Sequence, residues 1–257
     1  MKPARQPSRL LKRLRLAAQL LLGLIKTPFY GNPFAPRGAR TIRAWHAGAC
    51  RALGIELVSH GQPAPGALYA CNHISWLDIP VLGSQLEGAR FLSKTEVRRW
   101  PLIGWLAARS GTLFLARGQG QQDANRWIAD ALRHGQGVVL FPEGTTTDGL
   151  GLRRFHARLL QAALDADAPV QPVAIRYLDA DGRPNPRIAY IDDHSFGDTL
   201  QRIVAEDGLR AEIHFLPLIH PRDLSRSQIA AMAHAEVASA LGMGGRQGMP
   251  LAPAESA

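Results

Sequence analysis

The chain has almost no acid where it carries most of its base. Residues 1–51 hold eleven Lys and Arg and no Asp or Glu; the first acid is Glu56. The rest carries 19 bases against 21 acids, so the net charge of +9 belongs to the N-terminal segment. Such a segment seeks polyanions, either a nucleic acid or an acidic membrane surface. Cysteine is scarce as well. Cys50 and Cys71 alone exclude a disulfide framework and fit a reducing compartment. A long apolar run is missing near the N-terminus. The uncharged stretch between Arg15 and Lys26 has ten residues, about half of what a spanning helix needs. A small-residue cleavage site is missing too, because Lys26-Thr27-Pro28-Phe29 follows at once, which argues against a removed signal peptide. No internal repeat or long low-complexity tract occurs.

What is present in that segment is a basic amphipathic pattern. Leu10, Leu11, Leu14, Ala17, Ala18 and Leu21 recur at helical spacing, with Arg9, Lys12, Arg13 and Arg15 near one end. This predicts a helix lying in the membrane interface, held by apolar burial and by attraction to anionic lipid. A helix docked on the protein's own core with its bases solvated is the plainer alternative. Nucleic acid is disfavoured, because no aromatics are interleaved with the bases from Lys2 to Lys26 to stack on nucleobases. The expected organisation is an arm over 1–39, a folded domain over 40–242 and a disordered tail over 243–257.

In the body, strand patterns alternate with helix patterns. Strands are expected at 55–61, 66–72, 89–94, 111–117, 137–144 and 170–178, then at "RIAYI" and "AEIHFLPLI". Helices are expected at 40–53, 75–87, 101–111, 122–135, 154–166 and 225–242. This alternation predicts an α/β fold, a mostly parallel sheet with helices on both faces. In such sheets the working residues sit at the carboxyl ends of strands, where His73 and Glu143 both fall.

Four stretches stand out. In "CNHISWLD", His73 is a general-base candidate and Asp78 a carboxylate that could orient it. Five residues of regular helix would put them on different faces. The pair therefore needs His73 in a turn and Asp78 in the first helical turn. Ser75 as cap, with Asp78 three residues on, would supply that geometry. An isolated match of this kind would more often be a plain helix start. In "FPEGTTTDG", Gly144 and three threonines offer amides and hydroxyls to an anion. Glu143 is odd beside a phosphate and suits a hydroxyl acceptor or a loop anchor. Arg117, ending "GTLFLAR", suits a forked contact to phosphate. "QPVAIRY" reads as core strand, with Pro172 marking an edge or the strand's beginning.

Together and in this order the stretches resemble the glycerolipid acyltransferases, the 1-acylglycerol-3-phosphate acyltransferase family. The matching boxes are Asn72-His73…Asp78, Gly111…Phe114…Arg117, Phe141-Pro142-Glu143-Gly144-Thr145 and Val170…Pro172-Val173. The resemblance covers about residues 65–180. It implies transfer of a fatty acyl group from acyl-CoA or acyl-carrier protein to the free hydroxyl of lysophosphatidic acid, giving phosphatidic acid. His73 would take the hydroxyl proton and Asp78 would orient it. Arg117, Glu143, Gly144 and Thr145 would hold the acceptor's glycerol phosphate. No metal, other cofactor or acyl-enzyme is implied. The expected partners are a lysolipid, an acyl donor and an anionic membrane at the cytoplasmic face of a bacterial inner membrane, without nucleic acid. One departure matters: many members follow F-P-E-G-T with arginine and serine, whereas this chain has Thr146 and Thr147. Fewer fixed positive charges weaken the case for a phosphate and make lyso-ornithine lipid, with its amino-acid head group, the alternative acceptor. A basic-arm protein that binds nucleic acid or membrane without catalysis is the alternative of another class.

Overall fold

The computed structural model describes residues 7–115, 121–191 and 194–243. Two helices precede the sheet: α1 (Arg9–Lys26) and α2 (Pro36–Leu53). Pro36 sits in the first turn of α2, where a missing N–H costs nothing, and Gly54 ends it at φ 74°. The boundary expected at residue 39 thus falls inside α2. The strands are β1 (Glu56–His60), β2 (Leu68–Cys71), β3 (Arg90–Lys94), β4 (Leu113–Leu115), β5 (Val138–Leu140), β6 (Val170–Leu178) and β7 (Arg210–Phe215). Between them run α3 (Asp78–Gly83), α4 (Thr95–Arg98), α5 (Ile103–Arg109), α6 (Gln121–Arg133), α7 (Gln161–Ala166) and α8 (Phe196–Ala205). The last helix is α9 (Arg226–Ala240).

The strands form one sheet in the order β1-β7-β6-β2-β5-β3-β4. All neighbours are parallel except β6 and β7. Alternate residues of each strand feed two cores. Tyr69, Cys71, Val173 and Ile175 face the side covered by α2, α3 and α8. Leu68, Ala70, Val138 and Val170 face the side of α6, α7 and α9. The mostly parallel α/β sheet expected from the sequence is the one found. Pro172 lies in the interior strand β6 near its beginning. Its carbonyl accepts from Leu216, and regular pairing with β7 begins one residue later, at Val173.

Three expectations need correction. "RIAYI" forms no strand: a 3₁₀ turn covers Pro186–Ile188, begun by Asn185, whose side chain accepts from Arg187. Residues 154–166 do not make one helix, because a 3₁₀ turn at Ala157–Leu160 precedes α7. The third concerns α1, where one of the bases expected on the basic face lies inside. Its face toward the body carries Lys12, Gln19 and Gly23, with Leu16 packed on the core and Thr27 buried just after the helix. Lys12 is 1% exposed, its ammonium donating to the Glu206 carbonyl at the end of α8, near Asp207 at 3.4 Å. Gln19 and Trp45 exchange hydrogen bonds with each other's carbonyls at 2.8 Å. A Cβ on Gly23 would meet the Trp45 indole at 2.5 Å, so only glycine permits this approach. Leu10, Leu14, Leu21 and Ile25 point outward. Lys12 is therefore an internal tether and not part of the basic face. No helix among the described residues is long and apolar enough to cross a membrane.

Candidate active site

At the carboxyl end of β2 the chain leaves the sheet, and Asn72 makes the exit rigid. Its side-chain amide donates to the Ile175 carbonyl at 2.9 Å and accepts from the Ile175 amide at 2.8 Å. The side chain thereby continues the ladder to β6 for one more step while the backbone turns away. His73 follows. Its Nδ1 lies 2.7 Å from Asp78 Oδ2. The same oxygen accepts from the amides of Ile74 at 2.8 Å and Ser75 at 3.1 Å. Asp78 is fully buried, and Tyr177 donates to its Oδ1 at 2.7 Å. A buried carboxylate with four donors is well satisfied. The helix start does put histidine and aspartate together, but by another route than expected. The Ser75 hydroxyl caps nothing and has no partner; the Asp78 carboxylate itself ties the turn.

The His73 ring stacks on Phe141 with centroids 3.9 Å apart and planes at 15°. With Nδ1 engaged by Asp78, Nε2 is the nitrogen left to meet a substrate. The backbone of His73 is fixed too. Its amide donates to Glu143 Oε1 at 2.7 Å and its carbonyl accepts from the Thr147 amide at 2.8 Å. Glu143 Oε2 accepts from the Arg153 amide at 2.8 Å. Both oxygens of Glu143 are thus taken by backbone amides, which makes it a loop anchor. Burial raises the Glu143 pKa, and the two amides oppose that rise.

After Gly144, at φ 73°, the threonine loop borders a cavity of about 380 Å³. Thr145, Thr146, Thr147 and Asp148 line one side; Gly151, Leu152, Arg153 and Ile191 line the rest. Thr146 donates to the Tyr190 carbonyl, and Tyr190 donates to the Ile74 carbonyl at 2.9 Å, so the cavity wall is tied to the histidine turn. Of the residues singled out in the sequence, Thr145 lines this cavity, and His73, Asp78 and Glu143 are joined to one another in the turns next to its loop. Arg117 lies outside the described residues.

Sequence reasoning missed Tyr177 and Phe141. Tyr177 ends the stretch read as plain core. Its position near the carboxyl end of a strand beside β2 was the available signal. Burial and the neighbouring Asp78 raise its pKa well above the usual phenol range, so it remains a donor. Burial, with Asp78 adding to it, also raises the Cys71 thiol, a poor nucleophile in that state. Three potential metal donors, His60, Glu212 and His214, approach one another on the far side of β6. There Arg176 already holds Glu212 at 2.6 Å.

A histidine with an orienting carboxylate can deprotonate a hydroxyl brought to its free nitrogen. The comparisons with known proteins agree with that chemistry. A family model described as Acyltransferase matches residues 54–176. A lyso-ornithine lipid O-acyltransferase of Pseudomonas aeruginosa is 40% identical over 241 residues, covering 90% of this chain and 93% of that protein. A 1-acyl-sn-glycerol-3-phosphate acyltransferase of Neisseria gonorrhoeae is 39% identical over 183 residues, covering 69% and 71%. Among solved structures, a 1-acyl-sn-glycerophosphate acyltransferase of Thermotoga maritima shares the fold with a TM-score of 0.65. It is 17% identical, with 93% of this chain and all of that one covered.

Proposed function

The chain belongs to the acyltransferase family, among the lysolipid acyltransferases, and on that premise we propose that it acylates the free hydroxyl of a lyso-ornithine lipid, using acyl-CoA or acyl-carrier protein as donor. The 2.7 Å contact of His73 Nδ1 with buried Asp78 carries the catalytic part of this reading. His73 Nε2 takes the proton of the acceptor hydroxyl as its oxygen bonds to the thioester carbonyl carbon. Asp78 stabilises the imidazolium, and Tyr177 and two amides hold Asp78. The tetrahedral intermediate collapses with cleavage of the carbon–sulfur bond, and the departing thiolate recovers the proton from His73. Glu143 acts as a positioning residue, fixing the histidine's amide. Gly144 and Thr145, with Arg117 by resemblance, contact the acceptor.

The acceptor assignment rests on charge. The cavity offers one carboxylate, Asp148, and one guanidinium, Arg153, among three threonines. That balance suits a zwitterionic amino-acid head group better than a phosphate, which Asp148 would repel. The nearly full-length likeness to the Pseudomonas protein supports the same acceptor. Lysophosphatidic acid is the second reading, favoured by the Neisseria likeness and by the bases Arg153, Arg154 and Arg158 after the loop. The outward leucines and basic start of α1 support attachment to the cytoplasmic face of a bacterial inner membrane.

The test is purified protein with labelled acyl-CoA or acyl-carrier protein and a panel of lysolipids. His73→Ala is expected to lower kcat by about a thousandfold or more. Asp148→Asn is expected to raise KM for lyso-ornithine lipid and not for lysophosphatidic acid. Equal turnover by His73→Ala would sink the mechanism; lysophosphatidic acid as the preferred acceptor would sink the head-group assignment alone.

A further inference from the structure

The arm does not account for all the apolar surface at this edge of the sheet. β3 runs toward the same edge as β2 and β5, and at Lys94 it passes into α4 and α5. At the tip of that hairpin Leu102 is 51% exposed and Trp105 42%. Leu102 has φ 63° and ψ −55°, and the Ile103 amide donates to the Pro101 carbonyl at 2.7 Å. This is a γ-turn of the strained hand, which glycine would adopt freely. The position holds leucine instead, and the strain places that leucine in solvent and not in a core. Along the same hairpin Lys94, Arg98, Arg99 and Arg109 are exposed, against the single acid Glu96.

Two contacts locate the hairpin. Tyr30 donates to the Arg109 carbonyl at 2.9 Å, joining the turn after α1 to the end of α5. The outward row Leu21, Ile25 and Phe29 therefore leads to the end of α5, the helix that carries Trp105 and follows Leu102. On the other side Trp100 packs on Phe196 at 5.6 Å, and Phe196 on Trp76 of the catalytic turn at 4.7 Å.

We infer that the α4–α5 hairpin is a second membrane anchor, with Leu102 and Trp105 entering an anionic bilayer at the head-group boundary. The occupant is a lipid surface because the hairpin pairs an apolar wedge and a tryptophan with four exposed bases and one acid. With α1 it makes a two-point attachment that turns the catalytic edge toward the acceptor. The inference rests on the proposed lipid substrate but is read without turnover.

The experiment is co-sedimentation of the full chain, without acyl donor, with phosphatidylcholine vesicles with and without phosphatidylglycerol. Leu102→Glu and Trp105→Glu are each expected to weaken binding to the anionic vesicles by about tenfold or more. Trp127→Glu, altering a similarly exposed tryptophan on α6, is expected to leave binding unchanged. Leu102→Gly separates strain from function: Tm is expected to rise while binding falls. Parental binding by both glutamate variants, or an equal loss with Trp127→Glu, overturns the inference. So does self-association of the parent that these variants abolish while vesicle binding persists, which would reassign the surface to a second copy. Loss of binding in a protein that acylates nothing would support the anchor and refute the proposed function.

Discussion

Replacing Tyr177 by Phe removes one oxygen and little else. That oxygen lies 2.7 Å from Asp78 Oδ1, with Asp78 0% and Tyr177 3% exposed. Water is therefore a poor substitute, and among the described residues Oδ1 has no other donor. A hydrogen bond to a charged group contributes about 1.5–3 kcal/mol. The folded state should lose about that much, and Tm should fall by roughly 2–4 °C per kcal/mol in a chain of this size. Catalysis should suffer on the same scale. A carboxylate released at one end holds the imidazole less firmly, and 1.5–3 kcal/mol corresponds to roughly a tenfold to hundredfold loss in kcat. A variant with kcat/KM within about twofold of the parent and an unmoved Tm would refute this reasoning.

Two further outcomes follow from buried groups away from the base. His46 is buried with Nδ1 unpartnered, and burial lowers its pKa to about 4. Its folded value lies below its unfolded one, so its contribution to stability is complete above pH 6.5 and is lost as pH falls toward 4, roughly 3 kcal/mol in all. His46→Leu should flatten that part of the acid limb, read as urea midpoints at pH 7 and near pH 4.5. Lys12→Met keeps the aliphatic stem but leaves the Glu206 carbonyl without its ammonium partner; a loss of about 1–3 kcal/mol is expected, with earlier proteolysis of α1.

Much of the sheet was legible because its strands are short apolar runs bounded by Gly, Pro and polar turns. The site was legible because its chemistry is concentrated in two turns at strand ends. What escaped depends on contacts distant in sequence. Nothing local says that Tyr177 reaches Asp78, 99 positions away. Ser75 looks like a cap until the buried Asp78 carboxylate takes the amides first. "RIAYI" has strand composition, but Pro186 and Asn185 start a turn, and the Tyr190 amide goes to the Ile74 carbonyl instead of a ladder. α8 was missed although its signal was present, a Ser195–Asp198 capping box before Leu200, Ile203 and Val204. The burial of Lys12 was out of reach, since the pattern groups it with the other bases without saying that its ammonium meets the end of α8.

The bridge made by Glu143 has a metric consequence. One side chain clamps the amide of His73 and the amide of Arg153, so the loop at Arg153 is coupled to the histidine turn. The two ends of the site behave as the jaws of a caliper locked at one opening. Under the proposed function, an acceptor seated by its head group would present to Nε2 only a hydroxyl at a set distance along the molecule. On this view regiochemistry is gauged from the polar end of the lipid, and the length of its acyl chain does not enter the measurement.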